Sequence, residues 1–130
     1  MAHILIADDD PVIIKLLQVN LEMEGYDVTT AHDGQDALEK ATALSPDLIV
    51  LDIMMPRMDG LTARMEIKKV PHLAETPVIF LSAKAQQGDL RRGHELGVAE
   101  YITKPFDPMD FLSIVDQILK GTYTRPKDTR

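Results

Sequence analysis

The stretch Leu48-Ile49-Val50-Leu51-Asp52 carries four consecutive apolar residues and then a carboxylate. A strand wetted on one face alternates apolar and polar side chains, so this unbroken run reads as a strand covered on both faces that ends on an acid. Short apolar or β-branched runs recur at His3-Ile4-Leu5-Ile6-Ala7, Val28-Thr29-Thr30-Ala31, Val78-Ile79-Phe80-Leu81 and Tyr101-Ile102-Thr103. Between them lie segments with helical spacing: Ile13, Leu16, Leu17 and Leu21; Ala37, Leu38 and Ala41; Leu61 and Met65; Leu90 and Leu96; Phe111, Val115 and Ile118. The punctuation agrees. Asp10-Pro11 and Asp107-Pro108 each set a capping acid before a first-turn proline, Asp33 can cap the second helix, and Gly25 and Gly121 follow helix ends. Strand and helix in strict alternation predict an α/β domain with an open, doubly wound, five-stranded parallel sheet. In such sheets ligands sit outside the carboxyl ends of the strands, near the switch in strand order.

The 130 residues suffice for one domain with one core, and 14 Lys+Arg against 21 Asp+Glu give a net charge of -7. That charge repels nucleic acid and anionic lipid, so direct nucleic-acid binding and membrane association are not expected. With no cysteine and no apolar stretch of bilayer length, the expected setting is cytoplasmic. Residues 121–130 lose apolar periodicity and read as a flexible tail or the start of a linker.

The predicted strand ends hold the chemistry. The first ends in Asp8-Asp9-Asp10, the third in Asp52, the fourth in Ser82-Ala83 and the fifth in Lys104-Pro105. Asp10 is accounted for as a helix cap; Asp8, Asp9 and Asp52 are not. Three carboxylates in a small volume raise one another's pKa or demand a cation, and oxygen ligands without His or Cys suit Mg2+. A lone Lys104 or Ser82 would pass as a solvated side chain or a loop hydroxyl. Together with the acids and a divalent ion they supply what a transferring phosphoryl group needs, since that chemistry rests on positioning and charge neutralisation. Neither a Walker lysine motif nor a Gly-x-Gly-x-x-Gly stands in the chain, which argues against a bound nucleoside triphosphate as donor.

Four segments in register carry a family likeness: Ile4 to Pro11, Asp47 to Gly60, Phe80-Leu81-Ser82-Ala83, and Tyr101-Ile102-Thr103-Lys104-Pro105-Phe106. Over residues 1–120 the chain resembles the response-regulator receiver domain of two-component signalling. The resemblance implies a flavodoxin-like (βα)5 fold and a phosphoacceptor at Asp52, loaded by a sensor histidine kinase or histidine phosphotransfer domain in a Mg2+-dependent reaction. It implies that Asp9 binds Mg2+ directly, that Asp8 assists through water, and that the backbone carbonyl of Met54 is a further ligand. Lys104, Ser82 and Ala83 would then meet the phosphoryl oxygens, with Ser82 and Tyr101 as switch residues. Such a protein catalyses only its own phosphorylation and slow dephosphorylation, and otherwise is not an enzyme. Its output is a changed protein-interaction surface.

Some positions depart from the family pattern. Receivers that dimerise through the fourth helix, fifth strand and fifth helix pair acids with arginines, and here Glu95 and Glu100 face a last helix with no arginine. That dimer is not expected, and a weak homodimer by another route stays open. Leu112 and Ile114 fall off the last helix's core stripe as an expected exposed patch. Val12, Val19 and Met23 form a second off-core stripe on the first helix, a candidate docking face for the phosphate donor. Two residues after Asp52 stands Met54, and two after Ser82 stands Lys84; neither activates water as a carboxylate or amide does, which predicts slow self-dephosphorylation.

Two rival readings fit part of the sequence. Asp8-Asp9-Asp10-Pro11-Val12 also fits the first motif of a haloacid-dehalogenase-type phosphatase, with Asp8 as nucleophile. That reading lacks a later acidic pair at a strand end and leaves Asp52 unexplained. A flavodoxin-like cofactor carrier would need stacking aromatics, but the chain has three Phe, three Tyr and no Trp.

Overall fold

The computed structural model describes residues 2–82 and 99–122. Strands β1 (His3–Ala7), β2 (Asp27–Ala31), β3 (Leu48–Asp52), β4 (Val78–Ser82) and β5 (Glu100–Thr103) form one sheet in the order β2-β1-β3-β4-β5. Every pairing is parallel. Helices α1 (Pro11–Met23), α2 (Gly34–Leu44) and α3 (Gly60–Lys68) follow the first three strands, and α4 (Pro108–Lys120) follows β5. A 3-10 turn, Pro71–Leu73, leads into β4. The predicted helix around Leu90 and Leu96 lies outside the described residues.

Each central strand feeds both layers, which is why its sequence is apolar throughout. Leu5, Ile49, Leu51 and Phe80 pack toward Ala37, Ala41, Ala63 and Ile67 of α2 and α3. Ile4, Ile6, Leu48, Val50, Ile79 and Leu81 pack on the other face against Leu17, Leu21, Phe111 and Val115 of α1 and α4.

The expected caps are present. Asp10, Asp33 and Asp107 accept from the backbone N–H groups of Val12, Asp36 and Met109 at 2.9, 2.7 and 2.8 Å. Gly25 and Gly121 take the left-handed backbone that ends a helix, at φ 94° and 74°. Three details of the helix faces differ from the sequence reading. Leu16 and Met65 point outward, at 38% and 41% exposure. On α3 the inward row is instead Leu61, Arg64 and Ile67, with polar Arg64 occupying a core-facing position. Leu112 and Ile114 are partly buried against the α1/α4 layer, because the apolar arc of α4 is wider than the Phe111, Val115, Ile118 row alone. Val12, Val19 and Met23 are exposed, as expected.

Asp33 does more than cap. Its other carboxylate oxygen receives the Arg57 guanidinium, with Nη2 at 2.8 Å and Nε at 3.0 Å. The Asp36 backbone N–H, and then Arg57, hold the Asp33 carboxyl below its ordinary pKa, against the opposing effect of burial. A depressed carboxyl pKa gives stability above the unfolded value that is lost as pH falls through the folded one. Asp33→Ala should therefore cost about 1–2 kcal/mol at pH 7. Urea unfolding of both proteins should give the same difference at pH 6, with the gap closing below about pH 4.

Candidate functional site

The strand order reverses between β1 and β3, and there the sheet brings its acids together. Ala7 pairs with Leu51 in the β1–β3 ladder, so Asp8, just past β1, stands beside Asp52 at the end of β3. Asp8 and Asp52 are 1% and 4% exposed, and Asp9 faces solvent. Asp8, Asp9 and Asp52 each present an oxygen within 4.8 Å of the others. Two oxygens on one Mg2+ at about 2.1 Å stand at most about 4.2 Å apart, so this all-oxygen set fits that ion with small side-chain adjustment.

Lys104 reaches this cluster from the end of β5. Its Nζ lies 2.8 Å from Asp8 Oδ2 and 3.4 Å from Asp52 Oδ2. Its backbone N–H donates to the Ser82 carbonyl, and the Lys104–Pro105 peptide is cis. Burial lowers the affinity of the ammonium for its proton, but the Asp8 hydrogen bond and both carboxylate charges outweigh it, and the pKa is raised. Asp8 Oδ1 accepts from the Asp10 N–H at 2.9 Å, so both Asp8 oxygens are held.

For Asp52 the balance goes the other way. Burial first, and then the Asp8 charge, push its carboxyl from 3.8 to about 6, against the pull of Lys104 and of the Met54 N–H. That N–H stands 3.4 Å from Asp52 Oδ1. Asp52 is thus an acid kept short of compensating charge.

The loop after Asp52 is pinned at several points. The Ile53 N–H donates to the Leu81 carbonyl, and the Gly60 N–H to the Ile53 carbonyl, both at 2.9 Å. A Cβ on Gly60 would stand 2.3 Å from the Asp52 carbonyl oxygen, so only glycine lets α3 start this close to the strand. A Cβ on Gly34 would stand 2.1 Å from the Met58 carbonyl oxygen. Between them, Met58 N–H bonds to the Pro56 carbonyl at 2.7 Å across Arg57, whose φ is 65°. A three-residue turn with a positive-φ centre is a strained form, costing a non-glycine residue on the order of 1–3 kcal/mol.

Among the other expected site residues, Ser82 is buried at the end of β4, opposite Thr103. Tyr101 is already inside: its ring is buried edge-on to Phe80, with centroids 6.4 Å apart. The Met54 side chain is 71% exposed. Glu100 turns its carboxylate onto the Tyr101 N–H at 2.8 Å. Ala83, Lys84 and Glu95 lie outside the described residues. The Asp33–Arg57 pair and the Asp59 cap on Thr62 N–H, at 2.7 Å, escaped the sequence reading. An acid directly before Gly60-Leu61 was the available signal for the cap; no local signal marks a pair 24 residues apart.

A model of the response regulator receiver domain matches residues 4–116. The chain belongs to that family. It is a receiver domain, the phosphoacceptor module of two-component signalling, and the phosphatase alternative is not favoured. Receiver domains take phosphoryl groups from histidine kinases and bind Mg2+ at their acidic site. The chain is 42% identical over 127 residues to the DNA-binding dual master transcriptional regulator RpaA of Synechocystis, covering 98% of this chain and 53% of that protein. It is 44% identical over 117 residues to the alkaline phosphatase synthesis transcriptional regulatory protein PhoP of Bacillus subtilis, covering 90% of this chain and 48% of that one. The receiver therefore spans about half the length of these curated relatives. Among solved structures, the chemotaxis protein CheY4 of Vibrio cholerae superposes with a TM-score of 0.86 at 30% identity, covering 91% of this chain and 98% of that chain. The receiver domain of sensor histidine kinase PA1611 from Pseudomonas aeruginosa, solved with a magnesium ion coordinated in its active-site cleft, gives 0.85 at 31% identity, covering 92% and 98%. Among the described residues no helix is long and apolar enough to cross a membrane.

The raised Asp52 pKa has a measurable cost. Between about pH 4 and 6 the folded receiver holds a proton that the unfolded chain releases, so this group's contribution to stability falls as pH rises through that window. At pH 7 in EDTA, Asp52→Asn should be more stable than the wild type by about 1–2 kcal/mol, after discounting for solvent screening. Mg2+ should raise the wild-type Tm more than that of the variant. An Asp52→Asn protein no more stable than wild type in EDTA would show that Asp52 bears no such cost.

Proposed function

We propose that Asp52 is the phosphoacceptor, and that Asp8, Asp9, Asp52 and the Met54 backbone carbonyl hold a Mg2+ ion. The observation that carries this reading is the convergence of three carboxylates and one lysine at the strand-order switch. In the transfer, a carboxylate oxygen of Asp52 forms the new bond to phosphorus. The phosphorus–nitrogen bond of a donor phosphohistidine breaks, and the electron pair returns to the imidazole, which takes up a proton. Mg2+, when bound, neutralises charge on the phosphoryl oxygens. Lys104, paired with Asp8, exchanges that partner for a phosphoryl oxygen and so supplies a cation from the opposite wall of the crevice. Ser82, at the adjacent strand end, is the hydroxyl assigned to the phosphorylated state, together with Ala83; Tyr101, buried beside Phe80, is the aromatic half of the switch.

The donor on this reading is a sensor histidine kinase or a histidine phosphotransfer domain, and the setting is cytoplasmic. Beyond promoting its own phosphorylation and slow dephosphorylation, the domain is not an enzyme. Its output is contact with another protein, with no nucleic-acid contact by this acidic chain itself. The receiver unit runs through residue 120, where α4 ends at a glycine C-cap, and the sequence of 121–130 reads as a tail or linker.

Incubation with acetyl phosphate and Mg2+, followed by intact-mass analysis, tests the assignment. Wild type should gain one phosphoryl group and Asp52→Asn none. Phosphate release that survives Asp52→Asn but stops in Asp8→Asn would overturn it. The adduct should also persist. Exposed Met54 offers no group to orient an attacking water, so a half-life well beyond seconds is expected after removal of the donor, measured by the decay of the adduct mass. Met54→Glu should shorten it.

A further inference from the structure

The loop that joins Asp52 to α3 is held in its strained turn from outside the site. Arg57 sits at the turn's centre with φ 65°, inside the hydrogen bond from Met58 N–H to the Pro56 carbonyl. Its guanidinium crosses to the start of α2 and meets one oxygen of the buried Asp33 carboxylate at 2.8 and 3.0 Å. The other oxygen of Asp33 is fixed by the Asp36 N–H at 2.7 Å. Asp33 is therefore a rigid anchor, since the same side chain caps a helix and is closed in by its surroundings. One residue on, Gly34 lies so close to the Met58 carbonyl that no side chain would fit. The loop thus touches α2 at two successive positions, while Gly60 fixes its far end against the Asp52 backbone.

An arginine that adopts a costly backbone conformation and spends its side chain on a helix cap is doing something the fold alone does not require. Arg57 itself is exposed and belongs to no strand or core cluster, although Ile53 and Met55 of the same loop are buried in the core. What the turn does fix is the path of residues 53–59, and hence the position of the Met54 backbone beside Asp52. We propose that Arg57 is a positioning residue: clamped to Asp33, it holds the Asp52–Gly60 loop in the shape that presents the Met54 carbonyl to the cation. The inference rests on the metal set proposed above.

Mg2+ titration by calorimetry, with no phosphoryl donor, reads this directly. Arg57→Ala should weaken Mg2+ affinity by roughly three- to tenfold, less than the roughly 10–100-fold typical when a residue bonded directly to a metal ligand is lost, because Arg57 acts on Met54 only through the loop. Arg57→Gly tolerates the positive φ but lacks the clamp, and should weaken it as well. Arg57→Lys retains the charge and should recover part of the loss. Asp33→Asn keeps the cap while removing the charge, and combined with Arg57→Ala it should add little further, as for two halves of one clamp. Wild-type affinity in both Arg57→Ala and Arg57→Gly would overturn the proposal. So would a loss in Arg57→Ala that Arg57→Gly restores in full, because backbone strain rather than the clamp would then be the cause. No Mg2+ binding by the wild type would instead sink the metal assignment on which the inference stands. Amide exchange at residues 53–59, measured without Mg2+, supplies a second readout: the clamp predicts faster exchange there in Arg57→Ala, and unchanged rates would count against it.

Discussion

The structure turns on one electrostatic constraint. Two carboxylates, Asp8 and Asp52, are buried side by side because the first and third strands are neighbours, one followed by an acid and the other ending in one. Nothing in the core repays that repulsion. Lys104 relieves it in part, and unevenly, because its ammonium lies closer to Asp8 than to Asp52. The group left with the larger deficit is the one at the end of the central strand; burial first, and then the Asp8 charge, raise its affinity for protons. A site in this condition gains from any cation, and on the proposed reading a bound cation frees the same carboxylate to act as a nucleophile.

The remaining features follow from the need to keep those groups in place. An apolar strand delivers each of them with little freedom, since β1, β3 and β4 are buried along almost their whole length. The lysine arrives from a strand two places away from β3, so its reach across the crevice depends on the full sheet order. Local unfolding at the β5 edge would separate Lys104 from Asp8 and leave the acids unbalanced. Folding of that edge and the charge state of the crevice are therefore linked through one hydrogen bond.

Much of this was legible in the sequence, because the signals were local. Apolar and β-branched runs gave the strands, acid-proline pairs and glycines gave the limits of the first and last helices, and the acids at strand ends pointed to the crevice where they converge. What escaped depends on geometry between distant segments. Periodicity assigned Leu16 and Met65 inward because it counts apolar residues without knowing how wide a face each helix buries. It could not foresee that α3 would turn Arg64 inward while Met65 faced out. Asp33 looked like an ordinary cap, and its second role appears only when the loop bearing Arg57 is folded against it.

The close approach of Gly60 to the Asp52 carbonyl bears on how this family should be read in comparison with its relatives. No chemistry passes through that glycine, yet any side chain there would drive the helix away from the strand that carries Asp52, the acid proposed to react. Selection for activity would hold the position as firmly as the acid itself. A ranking of positions by substitution tolerance would accordingly place a residue with no functional group among the catalytic ones, and what it would be recording is the thickness of a peptide backbone.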